Sequence, residues 1–184
     1  MKKLATVCLA LLFAGTLSAQ TFSGTGKWKV SSEVDPITDT ATVTFLLPSD
    51  SGVSTYGDKI YLIIRHSPEH HDELFINWSS YLSDERQVVT FRMGNGLPDT
   101  QQWSRSTNNE STFHYWSGIS SIEQILYRLT IVDRVAARTT PYNENPITAI
   151  FDVRGLANAA EPFKDQLEWL NSPLPEWQPD PITP

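Results

Sequence analysis

Apolar and polar residues alternate with a period of two along most of this chain. In the stretch Thr40 to Leu47, Val43, Phe45 and Leu47 fall on one side and Thr42 and Thr44 on the other, the pattern of a half-buried strand. DKIYLIIRH carries apolar residues on both faces, Ile60, Leu62 and Ile64 against Tyr61 and Ile63. It predicts a strand covered above and below, or central in its sheet. ELFINWSSYL, QVVTFRM, TQQWSRS and STFHYW supply further short extended segments, separated by SPEHHD, LSDE, GNGLPD and TNNE. Turn signals at such spacing predict antiparallel β structure.

Two stretches break the period. GISSIEQILYRLTI predicts a helix capped by Ser120 with Glu123 completing a capping box, and Ile122, Ile125, Leu126 and Leu129 on one face. After DRVAARTT and ITAIFDVRG, where Ile147, Ala149, Phe151 and Val153 align on one side, EPFKDQLEWL predicts a last helix. Pro162 suits its first turn, and Phe163, Leu167 and Leu170 form its buried edge. The pattern predicts a mainly β, antiparallel, sandwich-like single domain with one inserted helix and a C-terminal helix.

The ends of the chain set its boundaries. MKKLATVCLALLFAGTLSAQ places Lys2 and Lys3 ahead of an apolar run from Leu4 to Leu17, then Ser18 and Ala19. This predicts a secretory leader over residues 1–19, cut after Ala19. The run is shorter than the ~20 apolar residues of a spanning helix, so no stable membrane insertion is expected once it is removed. Cys8, the only cysteine, leaves with it, and with it any internal disulfide or thiolate metal site. Loss of two lysines takes the formal charge from −7 to −9, which argues against nucleic-acid partners and against docking on anionic lipid. Residues 20–170 form the β-rich domain. Residues 171–184, with SPLPEWQPDPITP, form a flexible proline-rich tail that cannot hold a helix or join a sheet interior.

RTTPYNENPITAIFDVRG, from Arg138 to Gly155, is the least ordinary stretch. Pro141 and Pro146 bracket a loop in which Asn143 and Asn145 tolerate tight-turn geometry, and Gly155 relieves the backbone where strand gives way to helix. Spacing alone accounts for it as a hairpin.

A set of motifs in fixed order adds to this reading: W-x-V at Trp28, D-T at Asp39, L-x-x-R from Leu62 to Arg65, F-R at Phe91, W-S-x-S at Trp103, and T-P-Y-x-x-x-P-x-T-A-x-F-D-x-x-G-L from Thr140 to Leu156. Over Lys27 to Trp169 the chain resembles the type VI secretion system-associated protein family (TagO/VasI-like). The resemblance implies a periplasmic accessory protein of a contractile secretion machine, acting through contacts with a protein component of the apparatus or envelope. It implies neither an enzyme nor a cofactor. The family also places cysteines where this chain has His66 and Leu167. If those pair, the two positions here should approach to a Cβ separation of about 7 Å.

Candidate chemistry is sparse. RHSPEHHDE gathers His66, His70 and His71 as metal-ligand candidates, but adjacent histidines on an extended segment point to opposite sides and Pro68 disfavours a helix, so a solvated hairpin turn is the reading adopted. Ser104, Ser106 and His114 could approach as a triad, and Asp133, Glu144 and Asp152 are candidate paired carboxylates for an envelope hydrolase. Arg65, Arg92 and Arg138 could pair with buried carboxylates such as Asp152. Trp78 and Trp103 are assigned to the core. Tyr142 and Trp116 are the aromatics expected at the surface, where they could anchor a protein or stack on cell-wall sugar. The candidate binding set is thus Arg138, Tyr142, Asn143, Glu144 and Trp116, with a carbohydrate or peptidoglycan-binding module as the alternative function.

Overall fold

A computed structural model describes residues 24–69, 71–114 and 121–171. The leader, His70, Trp116, Ser120 and the proline-rich tail after residue 171 lie outside the described residues.

The pattern of period two folds as nine strands: β1 (Lys29–Val34), β2 (Ala41–Val53), β3 (Lys59–Ser67), β4 (His71–Asn77), β5 (Arg86–Met93), β6 (Asp99–Arg105), β7 (Ser111–Phe113), β8 (Arg134–Thr139) and β9 (Ile147–Asp152). All pairings are antiparallel. The sandwich expected from the pattern predicts two sheets, whereas the strands form one, in the order β1-β2-β3-β4-β7-β6-β5-β8-β9, and β9 returns to β2 at Ser51↔Ile150. Eight strands therefore close into a barrel and β1 stands outside the ring. Alternation of apolar residues is the same for an inward barrel face and an inner sandwich face, which is why the pattern does not separate the two.

Closure depends on the length of β2. Its start carries β1, paired from Lys29↔Leu46 to Val34↔Ala41, and its far end carries β9 on the same edge, the other edge being taken by β3. The barrel is thus sealed by strand pairing near Ser51 and splays where β1 and β9 part. Eight strands leave an interior that side chains fill. Phe45, Leu47, Leu62, Ile64, Ile76, Trp78, Trp103, Val135 and Phe151 are all buried in it.

Helices stop the splayed end. α1 (Ile122–Ile131) buries Ile125, Leu126 and Leu129, and its cap is Ser121 answered by Gln124, one residue beyond the expected Ser120 and Glu123. A short helix α2 (Leu156–Ala160) precedes the expected C-terminal helix, which is itself broken into a 3₁₀ turn (Glu161–Phe163) and α3 (Glu168–Asn171). Pro162 lacks an N–H and blocks the preceding turn. Packing asks for the break as well, because Phe163 and Trp169 both meet Phe45 edge-on, at centroid distances of 6.1 and 6.5 Å. In one continuous helix at ~100° per residue, those positions would face directions about 120° apart.

Gly155 begins α2 with φ of 89°, and a Cβ there would sit 2.4 Å from the Thr25 carbonyl carbon. Only glycine lets the N-terminal segment cross so closely. Beside the crossing, the Trp28 indole donates to the Val153 carbonyl at 3.0 Å.

Candidate functional site

The β8–β9 hairpin ends at the pole of the barrel opposite the helices. Thr139 pairs with Ile147, Pro141 is buried, and Asn143 takes a φ of 56°. The loop is not free-standing. Tyr142 N donates to the Tyr81 carbonyl at 3.0 Å, Glu144 N to the Pro141 carbonyl at 3.2 Å, and Gln87 Nε2 to the Thr140 carbonyl at 2.8 Å. The Tyr142 and Tyr81 rings meet edge-on at 5.9 Å, yet remain 54% and 49% exposed. A third tyrosine stands on a neighbouring turn: Thr55 N donates to Ser80 Oγ at 3.1 Å, and the adjoining Tyr56 is 75% exposed.

Of the sequence-derived binding set, Tyr142, Asn143 and Glu144 share this exposed tip. Arg138 lies on β8 beside it, exposed and donating to Thr148 Oγ1 at 2.9 Å. Trp116 lies outside the described residues. Sequence reasoning missed Tyr81 and Tyr56. The pattern carries a strand through ELFINWSSYL to Tyr81, but β4 ends at Asn77, and Ser79 at φ 50° turns the chain with its hydroxyl and amide both bonded to Asn77 Oδ1.

At the helical pole the histidine-rich turn is a hairpin, as expected, but it is not simply solvated. His66 pairs with Asp72 across β3 and β4, His66 Nδ1 and Asp72 Oδ1 lying 2.9 Å apart with side chains only 17% and 8% exposed. Burial pushes the Asp72 carboxyl above its usual range, against the opposing pull of His66 and of the Trp169 indole; Glu123 on α1 adds to the rise. The Trp169 N–H is buried on the Asp72 side, short of full hydrogen-bond geometry. One residue pair along the same two strands, Arg65 Nε donates to Glu73 at 2.7 Å and its guanidinium lies over Phe75. An open depression of about 510 Å³ borders His66, with Asp39, Thr40, His71, Gln166 and Glu168 around it. Gln166 and Glu168, which line it together with His66, flank Leu167 in the sequence. Among the described residues no group of three His, Cys, Asp or Glu is placed to hold a metal ion.

The other sequence candidates do not converge. Ser104 pairs with Phe113, Ser106 Oγ donates to Asn108, and His114 turns inward against Trp103 at a ring distance of 5.0 Å with Nδ1 unpartnered. Burial lowers the His114 pKa. Glu144 is at the loop pole, whereas Asp152 and Asp133 are at the helical pole. Asp152 is tied to Arg154, whose guanidinium holds its carboxyl at about 2. The expected partners of Asp152 engage elsewhere: Arg65 with Glu73, Arg92 with the Gly96 carbonyl and Arg138 with Thr148. Trp78 and Trp103 are buried. Among the described residues no helix is long and apolar enough to cross a membrane.

No family model, no curated protein and no solved structure matches this chain.

Proposed function

We propose that this chain is an exported, periplasmic accessory protein of a type VI secretion system, without catalytic activity, that binds a protein component through the loop pole of its barrel. The motif order from Trp28 to Leu156 supports the assignment to secretion. The observation that carries the binding reading is Tyr142, held by a backbone hydrogen bond and an edge-on neighbour while half its surface stays in water. An aromatic fixed before binding loses little conformational entropy on association, which favours it as an anchor.

A photo-crosslinking residue at Asn143, introduced in cells that export the protein, tests this. One discrete adduct with a secretion component, lost in Tyr142→Ala, is expected. Diffuse labelling, an adduct indifferent to Tyr142→Ala, or a product retained in the cytosol with its leader intact would refute it. The second reading, binding to cell-wall glycan, is favoured by the adjacent exposed rings of Tyr81 and Tyr142, since flat aromatic faces stack on sugars. Co-sedimentation with purified cell wall that disappears in Tyr81→Ala would replace the protein-partner reading with this one.

A further inference from the structure

Within the described sheet β1 is the strand with a single neighbour. It ends the strand order, and its free edge lies against no other described strand. An unpaired edge presents a row of N–H and C=O groups that can accept another strand, and proteins blunt such edges with proline, bulges or cover. The edge KVSSEV contains no proline, its register with β2 runs without a shift, and among the described residues nothing covers Ser32, Glu33 and Val34, which are exposed.

The placement of charge selects the occupant. If two copies of β1 pair antiparallel about Ser31, Lys29 of each copy stands opposite Glu33 of the other, Val30 opposite Ser32, and Ser31 opposite its own equivalent. Opposite charges facing each other across an antiparallel pair stabilise it, and like charges destabilise it. The register holds whichever alternate set of amides the free edge presents, because Lys29, Ser31 and Glu33 form one set and Val30 and Ser32 the other. Two ion pairs related by a two-fold axis make the contact self-complementary.

We infer that β1 is a self-association edge through which two copies of this chain join their sheets, with Lys29 and Glu33 fixing the register. This stands apart from the loop-pole reading, since β1 lies outside the ring and Tyr142 at its loop pole. A six-residue edge is short beside the ~1,200–2,000 Å² of a stable interface, so the dimer is weak, with a Kd on the order of 100 µM.

Sedimentation velocity of the purified protein over a concentration series reads it directly. The expected result is a concentration-dependent dimer, weakened about tenfold in Glu33→Lys, where lysines face lysines twice, and restored to within about threefold in Lys29→Glu/Glu33→Lys. Lys29→Glu alone should weaken it as Glu33→Lys does, which guards against a folding defect in one variant. A monomer at every concentration up to about 1 mM, a dimer untouched by either single reversal, or a double reversal that fails to restore it would overturn the inference.

Discussion

The two poles of this barrel are closed by different means. At the loop pole strand pairing between β2 and β9 completes the ring, and the connecting turns need only reverse the chain. Ser54, Ser80, Leu82 and Pro141 in these turns are buried, but the rings of Tyr56, Tyr81 and Tyr142 stay at the surface. At the helical pole β1 and β9 diverge, and pairing alone cannot close the gap. Trp169, Phe163 and the inner face of α1 fill it, and polar groups are drawn under cover with them: His66, Asp72 and the indole N–H of Trp169. Where hydrogen bonds close a barrel, some turn side chains can stay at the surface; where side chains must plug it, those that form the plug lose their freedom to packing.

Substitutions at each pole sharpen this contrast. Trp169→Ala removes a fully buried ring from its seat on Phe45 and should lower the unfolding free energy by about 3–5 kcal/mol in urea titrations. A loss below ~1 kcal/mol would mean that the helices do not act as a plug.

His114 should give a smaller effect, visible only against pH. Its folded pKa lies below the ordinary 6.5 because burial disfavours the imidazolium. The unfolded chain therefore takes up that proton first, so the contribution of His114 is complete above pH 6.5 and is lost as pH falls towards its folded value. His114→Phe should flatten the stability profile in that window. Asp72, raised by burial, has the opposite sign: its contribution is complete below 3.8 and is lost as pH rises through its folded value. It titrates in both proteins and cancels in the comparison. A variant with the slope of the parent would exclude His114 as its source.

The smallest change is expected at the loop pole. Tyr142→Ala should shift the urea midpoint by the equivalent of no more than about 0.5 kcal/mol, while abolishing the crosslink from Asn143. A large loss of stability would make Tyr142 part of the scaffold.

Strands and core were legible because burial imposes the period of two: Val43, Phe45 and Leu47 line the interior as their spacing requires, as do Ala149, Phe151 and Val153. Ring closure was not, because it turns on two strands sharing one edge of β2, a property of register that no single segment encodes. The break in the last helix was hinted at by Pro162, but its cause lies in Phe45, more than a hundred residues away. Half of the exposed tip was legible from Pro141, Asn143 and Pro146. Tyr81 and Tyr56 were not, since their exposure follows from where β4 stops and from a single Thr55 to Ser80 hydrogen bond. Burial of the His66–Asp72 pair was hidden likewise, for it depends on α1 and α3 arriving over a turn that reads as polar.

The crossing of the N-terminal segment over Gly155 has a consequence for the order of assembly. Trp28 is bonded to Val153, and Thr25 lies against Gly155, so this N-terminal segment finds its seat only in the last third of the chain. Contacts of such long range are slow to form. As the polypeptide emerges from its amino end, β1 can pair with β2 early, but Thr25 and Trp28 must wait for their partners until nearly all the rest has followed.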